Sequence, residues 1–177
     1  LVLDEADRML DMGFLQDIEK LTQTVKQNHQ TLMFSATFSN KVKTLANQLL
    51  KTPKTLEMSP QNSTSGKVKQ QVYWVSEIRK RELLSELIGV KNWKQVLVFA
   101  GTKESANVLA KELKLDGIKA LVCHGDKTQG ARNQAIQKFT EGSVRVLVAT
   151  DVAARGLDIP NLPYVVNFHL PFLAEDY

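Results

Sequence analysis

Several residue types and patterns that define other protein classes are scarce in this chain. Its 177 residues include one cysteine and three histidines. The single Cys123 excludes an intrachain disulfide framework and fits a reducing compartment, and so few ligands argue against a structural zinc site. No apolar run approaches the roughly 20 residues that cross a bilayer, and no basic segment followed by an apolar stretch opens the chain. We therefore expect a protein of the cytoplasm that has no membrane partner.

The sequence also contains no G-x-x-x-x-G-K-[ST] loop, the motif that cradles nucleotide phosphates. Its first residues, Leu1-Val2-Leu3, have the character of a strand interior. We expect a fragment of a longer protein, and a fragment without that loop should not hydrolyse a nucleotide by itself.

The composition is that of an ordinary globular protein, with 43% hydrophobic and 24% charged residues. The net charge of +4 is unevenly placed. Residues 1–60 hold seven Lys and Arg and seven Asp and Glu, whereas residues 61–177 hold 16 and 12. A basic second half could bind polyanions, although a solvated surface accounts for the charge equally well.

Adjacent carboxylates follow the opening apolar triplet. In open α/β folds, ligands bind at the carboxyl ends of the strands. In P-loop NTPases, an acid in this position helps to hold Mg²⁺ on the nucleotide phosphates, and a second group orients the attacking water. Asp4 suits the first task and Glu5 the second. These residues alone would also fit a solvated turn after a core strand.

The longer string decides between these alternatives. Residues 4–14, DEADRMLDMGF, resemble motif II of the DEAD-box RNA helicases. Further motifs of that family follow in order: Ser-Ala-Thr at 35–37, His-Gly-Asp at 124–126 with Gln129 and Arg132, and ATDVAARGLDIP at 149–160. The resemblance covers essentially the whole chain and implies ATP and Mg²⁺ as cofactors and RNA as partner.

The resemblance assigns roles in the first part of the chain. It implies that Asp4 binds Mg²⁺, that Glu5 and Asp4 are the catalytic acids, and that Ser35 and Thr37 contact Asp7 and couple hydrolysis to domain arrangement. Strand-end hydroxyls such as those of Ser35 and Thr37 otherwise cap helices or tie down turns.

The periodicity predicts an α/β fold. In the first part we expect an apolar helical stripe of Phe14, Ile18, Leu21 and Val25, a strand at 31–34, a helix at 41–50 capped by Ser39 or Asn40, and a short possible strand at 55–58. In the second part the pattern predicts strands at 71–76, 95–100, 119–123, 144–149 and 164–168, with helices at 77–88, 103–115 and 128–139 between them. Such alternation implies a parallel sheet.

The resemblance implies that these strands and helices belong to two RecA-like parallel-sheet domains. We expect residues 1–62 to be the carboxyl-terminal part of the first domain and 63–69 to be a linker, because residues 60–66 are rich in Pro, Ser and Gly. Residues 70–177 then form a nearly complete second domain, truncated before the family's arginine-finger motif.

In the second domain the resemblance implies an RNA-contacting surface of Thr102, Gly125, Gln129, Arg132 and Thr150. The same resemblance implies that Asp158 and Gly156 lie at the nucleotide, with the Gly156 backbone also near RNA. Helix capping by Thr102 and turn chemistry at Asp158 are the ordinary alternatives. Arg155 has no assigned role, and His124 is expected to be a structural histidine.

The predicted function is therefore that of an ATP-dependent RNA helicase that unwinds short duplexes. The run at 79–84, RKRELL, resembles the bacterial RhlE-like subgroup, which implies partners in ribosome assembly or RNA decay. A non-catalytic RNA-binding module is the alternative, and the acid pair argues against it. A DNA translocase is a third possibility, because phosphate contacts alone do not discriminate the sugars.

Overall fold

The computed structural model describes residues 1–26, 28–57, 68–154, 157 and 159–171. The chain divides into two compact units, Leu1–Lys69 and Gln70–Tyr177. The Pro/Ser/Gly-rich stretch at 60–66 and most of the expected linker lie outside the described residues.

The amino-terminal unit, Leu1–Lys69, contains two short parallel strands and three helices. Strand β1 (Val2–Leu3) pairs with β2 (Leu32–Met33), and the helices are α1 (Ala6–Asp11), α2 (Leu15–Thr24) and α3 (Asn40–Leu49). Ser39 is the N-cap of α3 and its hydroxyl accepts from the Val42 amide at 3.4 Å. Residues 55–57 form no strand, so the possible strand there is wrong over its described part.

A small apolar core holds this unit together. Leu3, Ile18 and Leu45 are buried against one another, and α3 buries Val42, Leu45 and Ala46 on one face. The predicted stripe on α2 is wrong in part, because Phe14 and Leu21 are 43% and 59% exposed and only Ile18 is buried. Of the four residues of the stripe, only Ile18 belongs to the core cluster of this unit.

The carboxyl-terminal unit, Gln70–Tyr177, alternates helices and strands as predicted. Its elements are α4 (Lys80–Val90), β3 (Val96–Phe99), α5 (Lys103–Leu115), β4 (Ala120–Cys123), α6 (Gln129–Thr140), β5 (Val146–Ala149), α7 (Asp151–Ala154) and β6 (Tyr164–Asn167). A 3-10 turn, Glu77–Arg79, precedes α4. Across the described ranges, every helix is too short or too polar to cross a bilayer.

The four strands form one parallel sheet in the order β4-β5-β3-β6. The register aligns Cys123, Ala149, Phe99 and Asn167 in one row at the carboxyl edge. The segments that leave these strands therefore emerge side by side, and the predicted parallel α/β architecture is confirmed.

Burial on both faces explains the apolar runs of the central strands. Val96, Val98, Val146 and Val148 pack in one cluster with the buried face of α5, and Leu97, Leu147, Ala135 and Phe139 belong to a second. The predicted α5 stripe of Ala106, Leu109, Ala110 and Leu113 is buried as expected. On α6, Ala135 and Phe139 are buried, whereas Ala131 in the first turn is exposed. Cys123 is buried, as predicted.

The strand predicted at residues 71–76 is absent. This segment forms no ladder with a described strand, and Val72 and Trp74 are 78% and 96% exposed. β-Branched and aromatic residues such as Val72, Tyr73, Trp74 and Val75 favour an extended chain. A strand also requires a neighbour whose amides and carbonyls are free to pair.

Candidate functional site

The predicted catalytic acids follow β1 directly. Phe34 donates its amide to the Leu3 carbonyl at 2.8 Å, which extends the β1–β2 pairing to the carboxyl edge. Asp4 and Glu5 are exposed just beyond it. The Asp4 Oδ1 accepts from the Glu5 amide at 2.9 Å, so the first acid also orders the backbone of the second.

Glu5 has an unusual backbone. Its φ and ψ are 51° and 48°, in the left-handed region that non-glycine residues rarely adopt. Such a conformation costs on the order of 1 kcal/mol or more and persists only where neighbouring contacts hold it. One such contact is the ion pair between Glu5 Oε2 and Arg8 Nη1 at 2.7 Å.

Asp7 and Thr37 are brought together across the unit. Thr37 donates both its amide and its hydroxyl to Asp7 Oδ2, at 2.9 and 2.8 Å. The Ser35 hydroxyl donates to the Thr37 carbonyl at 2.6 Å, which closes the turn after β2. One carboxylate oxygen thus fixes the segment that follows the neighbouring strand.

These hydrogen bonds decide the charge state of Asp7. Burial alone would raise the pKa of its carboxyl, but the donors of Thr37, the Arg8 amide and Ser35 outweigh it and hold the pKa below the ordinary 3.8. Asp7 is therefore a carboxylate at neutral pH, and its charge strengthens the link to Thr37.

The acid pair fits a magnesium ion only in one manner. The described residues contain no group of three or more His, Cys, Asp or Glu side chains arranged around a cation position. Mg²⁺ is commonly held by one or two carboxylates, with waters and substrate phosphates completing its shell. Asp4 at an exposed strand end suits that arrangement.

The predicted RNA-contacting residues share the carboxyl edge of the second sheet. Thr102 follows β3, Gly125 follows β4 and Thr150 follows β5. The Thr150 amide donates to the Cys123 carbonyl at 3.3 Å, and the Ala100 amide donates to Ala149 at 2.9 Å. The sheet therefore brings three of the five residues to one edge, and α6 adds the others.

Thr102 caps α5 and lies beside the glycine turn. Its hydroxyl accepts from the Ser105 amide at 3.0 Å, and Ser105 returns the bond in a capping box. The next residue, Lys103, pairs with Asp126 at 2.5 Å. Its side chain passes 3.7 Å from the place a Cβ on Gly125 would occupy, so the two turns are linked through one lysine.

His124 is a buried structural residue, as predicted. It is 2% exposed, its Nε2 lies 3.1 Å from Asn107 Oδ1, and its Nδ1 accepts from the Asp126 amide at 3.3 Å. Burial, followed by the nearby Lys127 charge, lowers the pKa of the ring below 6.5. The neutral ring holds the His-Gly-Asp turn in place.

Gln129 and Arg132 occupy the first turn of α6. Thr128 caps the helix through the Ala131 amide at 3.2 Å. The Gln129 Oε1 accepts from Arg132 Nη1 at 3.3 Å, and its amide nitrogen donates to Asn133 at 2.8 Å. The two predicted residues therefore support each other on one side of the helix.

The Nε of Arg132 is buried and has no hydrogen-bond partner among the described residues. A buried donor of a charged group costs free energy when it is left unpaired. The guanidinium can therefore gain from an added acceptor.

The predicted nucleotide contacts cannot be placed. Gly156 and Asp158, together with Arg155, lie outside the described residues.

Three residues at this edge were missed from the sequence. Lys103 and Asp126 form the ion pair described above, and His169 accepts from the Gly101 amide at 3.1 Å. The positions of Lys103 beside a helix cap and of Asp126 in a glycine turn were weak indications of this ion pair in the sequence. No local pattern marks His169 as a partner of Gly101.

Comparison with protein families matches both units. The model described as "Helicase conserved C-terminal domain" matches residues 79–177, and that described as "DEAD/DEAH box helicase" matches residues 1–45.

Curated relatives match along the entire chain. The ATP-dependent RNA helicase RhlB of Pseudomonas aeruginosa is 44% identical, with 100% of this chain and 45% of the relative covered. The DEAD-box ATP-dependent RNA helicase CshA of Bacillus cereus is 41% identical, with 100% and 34% covered. This chain spans less than half the length of these relatives.

Two solved structures are similar to this chain over nearly its entire length. S. cerevisiae Dbp5 bound to RNA and ADP BeF3 matches with a TM-score of 0.83 and 37% identity over 98% of this chain and 45% of that one. A DEAD box protein from the hyperthermophile Methanococcus jannaschii matches with a TM-score of 0.57 and 35% identity over 96% and 46%.

Proposed function

Because this chain belongs to the DEAD-box family of helicases, we propose that it carries half of the ATP site and part of the RNA-binding surface of an ATP-dependent RNA helicase. The observation that carries the proposal is the pair of hydrogen bonds from Thr37 to Asp7, because it ties the segment after β2 to the acids after β1. A domain that only bound RNA would not need an acid pair linked in this way.

Asp4 is proposed to hold Mg²⁺ and Glu5 to orient the attacking water. When bound, the ion neutralises developing charge on the phosphates. The exposed Asp4 carboxylate fits a ligand that shares its ion with phosphates and water. The left-handed backbone of Glu5 supports a role that needs its carboxylate in a fixed direction.

Asp7, Ser35 and Thr37 are proposed to couple hydrolysis to domain arrangement. Asp7 is charged and holds Thr37 by two short bonds. A displacement of the acid segment would therefore be transmitted to the turn after β2. Asp158 and Gly156 stay proposed nucleotide contacts on the strength of the motif alone.

The carboxyl edge of the second sheet is proposed to bind RNA phosphates. Thr102, Gly125 and Thr150 follow three adjacent strands, and Gln129 and Arg132 open the neighbouring helix. Free amides at helix starts favour anions, and Arg132 adds a positive charge in the first turn of α6. Together these features suit a phosphate backbone.

The test of the ATP site is the Glu5→Gln variant of the full-length protein. We expect RNA-stimulated ATP turnover to fall by about a hundredfold or more while ATP binding persists, because the amide cannot act as a base. Asp17→Asn, which alters an exposed acid on α2, is the control and should leave turnover unchanged. Unchanged turnover in Glu5→Gln would remove Glu5 from this role.

The test of the RNA surface is Arg132→Ala, with Lys138→Ala near the other end of α6 as control. Loss of a charged hydrogen bond should weaken single-stranded RNA binding about tenfold. The slope of log K against log salt should fall by about 0.7 for each lost phosphate contact. Equal stimulation of turnover by DNA would favour the translocase alternative.

The finer identity of the protein stays a prediction. The relatives described above are named RhlB and CshA, and the RhlE-like subgroup rests on residues 79–84 alone. A cytoplasmic location and partners in ribosome assembly or RNA decay are likewise predictions.

A further inference from the structure

We propose that His169 is a positioning residue that holds the loop after β3 in the conformation that contacts RNA, an inference that rests on the RNA surface proposed above. The ring of His169 accepts the Gly101 amide hydrogen, and Gly101 immediately precedes Thr102. His169 therefore acts on RNA through the backbone of a neighbouring strand.

Sheet pairing brings the two residues together. β3 and β6 are adjacent and parallel, with Phe99 opposite Asn167. Beyond that row, the amides of Phe168 and His169 both donate to the Phe99 carbonyl, at 3.0 and 3.3 Å. The main chain at His169 is thus fixed to the end of β3 before its side chain makes any contact.

The hydrogen bond determines the tautomer of the ring. Gly101 N–H is a donor, so Nδ1 must carry a lone pair and the proton lies on Nε2. Nε2 faces Glu77 Oε1 at 3.5 Å, and the other Glu77 oxygen pairs with Lys80 Nζ at 2.7 Å. The hydrogen bond from Lys80 lowers the pKa of Glu77, so a carboxylate faces the protonated nitrogen.

Close packing against Gly101 also restricts the orientation of the His169 ring. A Cβ placed on Gly101 would lie 3.3 Å from His169 Cβ and 3.5 Å from its Cγ. The glycine therefore lets the imidazole approach the backbone. Beyond Gly101, Thr102 caps α5 and Lys103 pairs with Asp126. The position of the Gly101 amide therefore affects both the turn after β3 and the turn after β4.

Two conservative substitutions separate the two ring nitrogens. Asparagine places an acceptor oxygen the same number of bonds from Cβ as Nδ1, whereas glutamine places its terminal atoms at the distance of Nε2. His169→Asn should keep the bond to Gly101. His169→Gln should keep a group near Glu77 and lose that bond.

The experiment uses the full-length protein with ¹⁵N-labelled glycine and histidine. Hydrogen exchange of the Gly101 amide and the ¹⁵N shifts of the His169 ring are measured by NMR, and affinity for labelled single-stranded RNA by fluorescence anisotropy. His29→Asn, at another exposed histidine, is the control.

We expect the wild-type ring to show a proton on Nε2 alone. His169→Gln should speed Gly101 exchange and weaken RNA binding about fivefold, the effect of losing one neutral hydrogen bond. His169→Asn should stay within about twofold of wild type in both measurements, by the same estimate.

The proposal is overturned if Nδ1 is protonated, if Gly101 exchange is the same in His169→Gln and wild type, or if asparagine fails where glutamine fails. It is also overturned if Gly101 exchange rises without loss of RNA affinity while Arg132→Ala does weaken RNA binding. Unchanged RNA affinity in Arg132→Ala instead contradicts the proposed RNA surface, and the exchange data then still decide whether His169 holds Gly101.

Discussion

The two units hold their candidate sites in different ways. In the amino-terminal unit, two strands of two residues each and a small cluster of buried side chains lie beneath the acids, and Val2, Leu32 and Phe34 are 60%, 44% and 54% exposed. The Asp7–Thr37 link is polar. In the carboxyl-terminal unit, a four-stranded sheet covered on both faces supports the carboxyl edge that is proposed to bind RNA.

This difference teaches where each site is vulnerable. The acid site depends on hydrogen bonds to a charge, and such bonds respond to pH. The edge proposed to bind RNA depends on the packing of the sheet beneath it, and packing responds to lost volume. Each prediction below tests one side of that contrast.

The largest effect is expected from removing a core ring. Phe139→Ala should lower the free energy of unfolding of the carboxyl-terminal unit by about 3 to 5 kcal/mol, because Phe139 is fully buried and a cavity would remain. Phe34→Ala in the other unit, where the ring is 54% exposed, should cost less than about 1 kcal/mol. Urea unfolding of this 177-residue chain, to which these exposed fractions apply, measures both. Equal losses would contradict the contrast.

The next effect concerns the polar link. Thr37→Val keeps the side-chain shape but removes the hydroxyl donor to Asp7, and should destabilise the amino-terminal unit by about 1 to 2 kcal/mol. Thr22→Val, which removes a hydroxyl bonded only within its own helix, should have less than half that effect.

Acid should abolish the difference in stability between Thr37→Val and wild type. The folded pKa of Asp7 is depressed, so its stabilisation is present above 3.8 and is lost as the pH falls through the lower folded value. Thr37→Val and wild type should therefore converge in acid. A gap that persists after Asp7 is protonated would show that the hydroxyl acts without the charge.

A smaller effect is expected at the buried histidine. The pKa of His124 is lowered on folding, so its contribution is present above 6.5 and is lost as the pH falls towards the folded value. The slope cannot exceed about 1.4 kcal/mol per pH unit for one proton. His124→Asn keeps an acceptor for the Asp126 amide but does not titrate. Its melting temperature should therefore change less than that of wild type between pH 7.5 and 5.5. If the melting temperature of the variant fell with pH as steeply as that of wild type, the pH dependence would belong to another group.

The smallest effect on stability is expected at the exposed ion pair of Lys103 and Asp126. Asp126→Asn should leave the urea midpoint within replicate scatter, because surface pairs are screened by solvent. RNA affinity should rise about twofold, because the lysine no longer shares its charge with an acid. Weaker RNA binding would instead give Asp126 a direct part in recognition.

Prediction from the sequence succeeded where the pattern was local or where burial was complete. The apolar runs of β3 and β5 and the stripe on α5 required burial on defined faces, and the caps Ser39 and Thr102 each bind an amide three residues ahead. The strand at 71–76 failed because strand pairing depends on a free neighbouring edge. The predicted burial of Phe14 and Leu21 is wrong because Ile18 alone on that stripe packs in the cluster with Leu3 and Leu45.

Motif spacing and hydrophobic periodicity were enough to predict the family, most of the strands and helices of the second unit, and the residues that follow each strand, because both are properties of neighbouring residues. Only the tertiary structure decided that His169 accepts from Gly101, 68 residues away, and that Lys103 reaches across to Asp126. His169 meets Gly101 because β6 pairs with β3, whereas Lys103 reaches Asp126 across the intervening strand β5. Both contacts therefore depend on the choice of strand order. That choice follows from packing of the whole sheet, and no local stretch of sequence contains it.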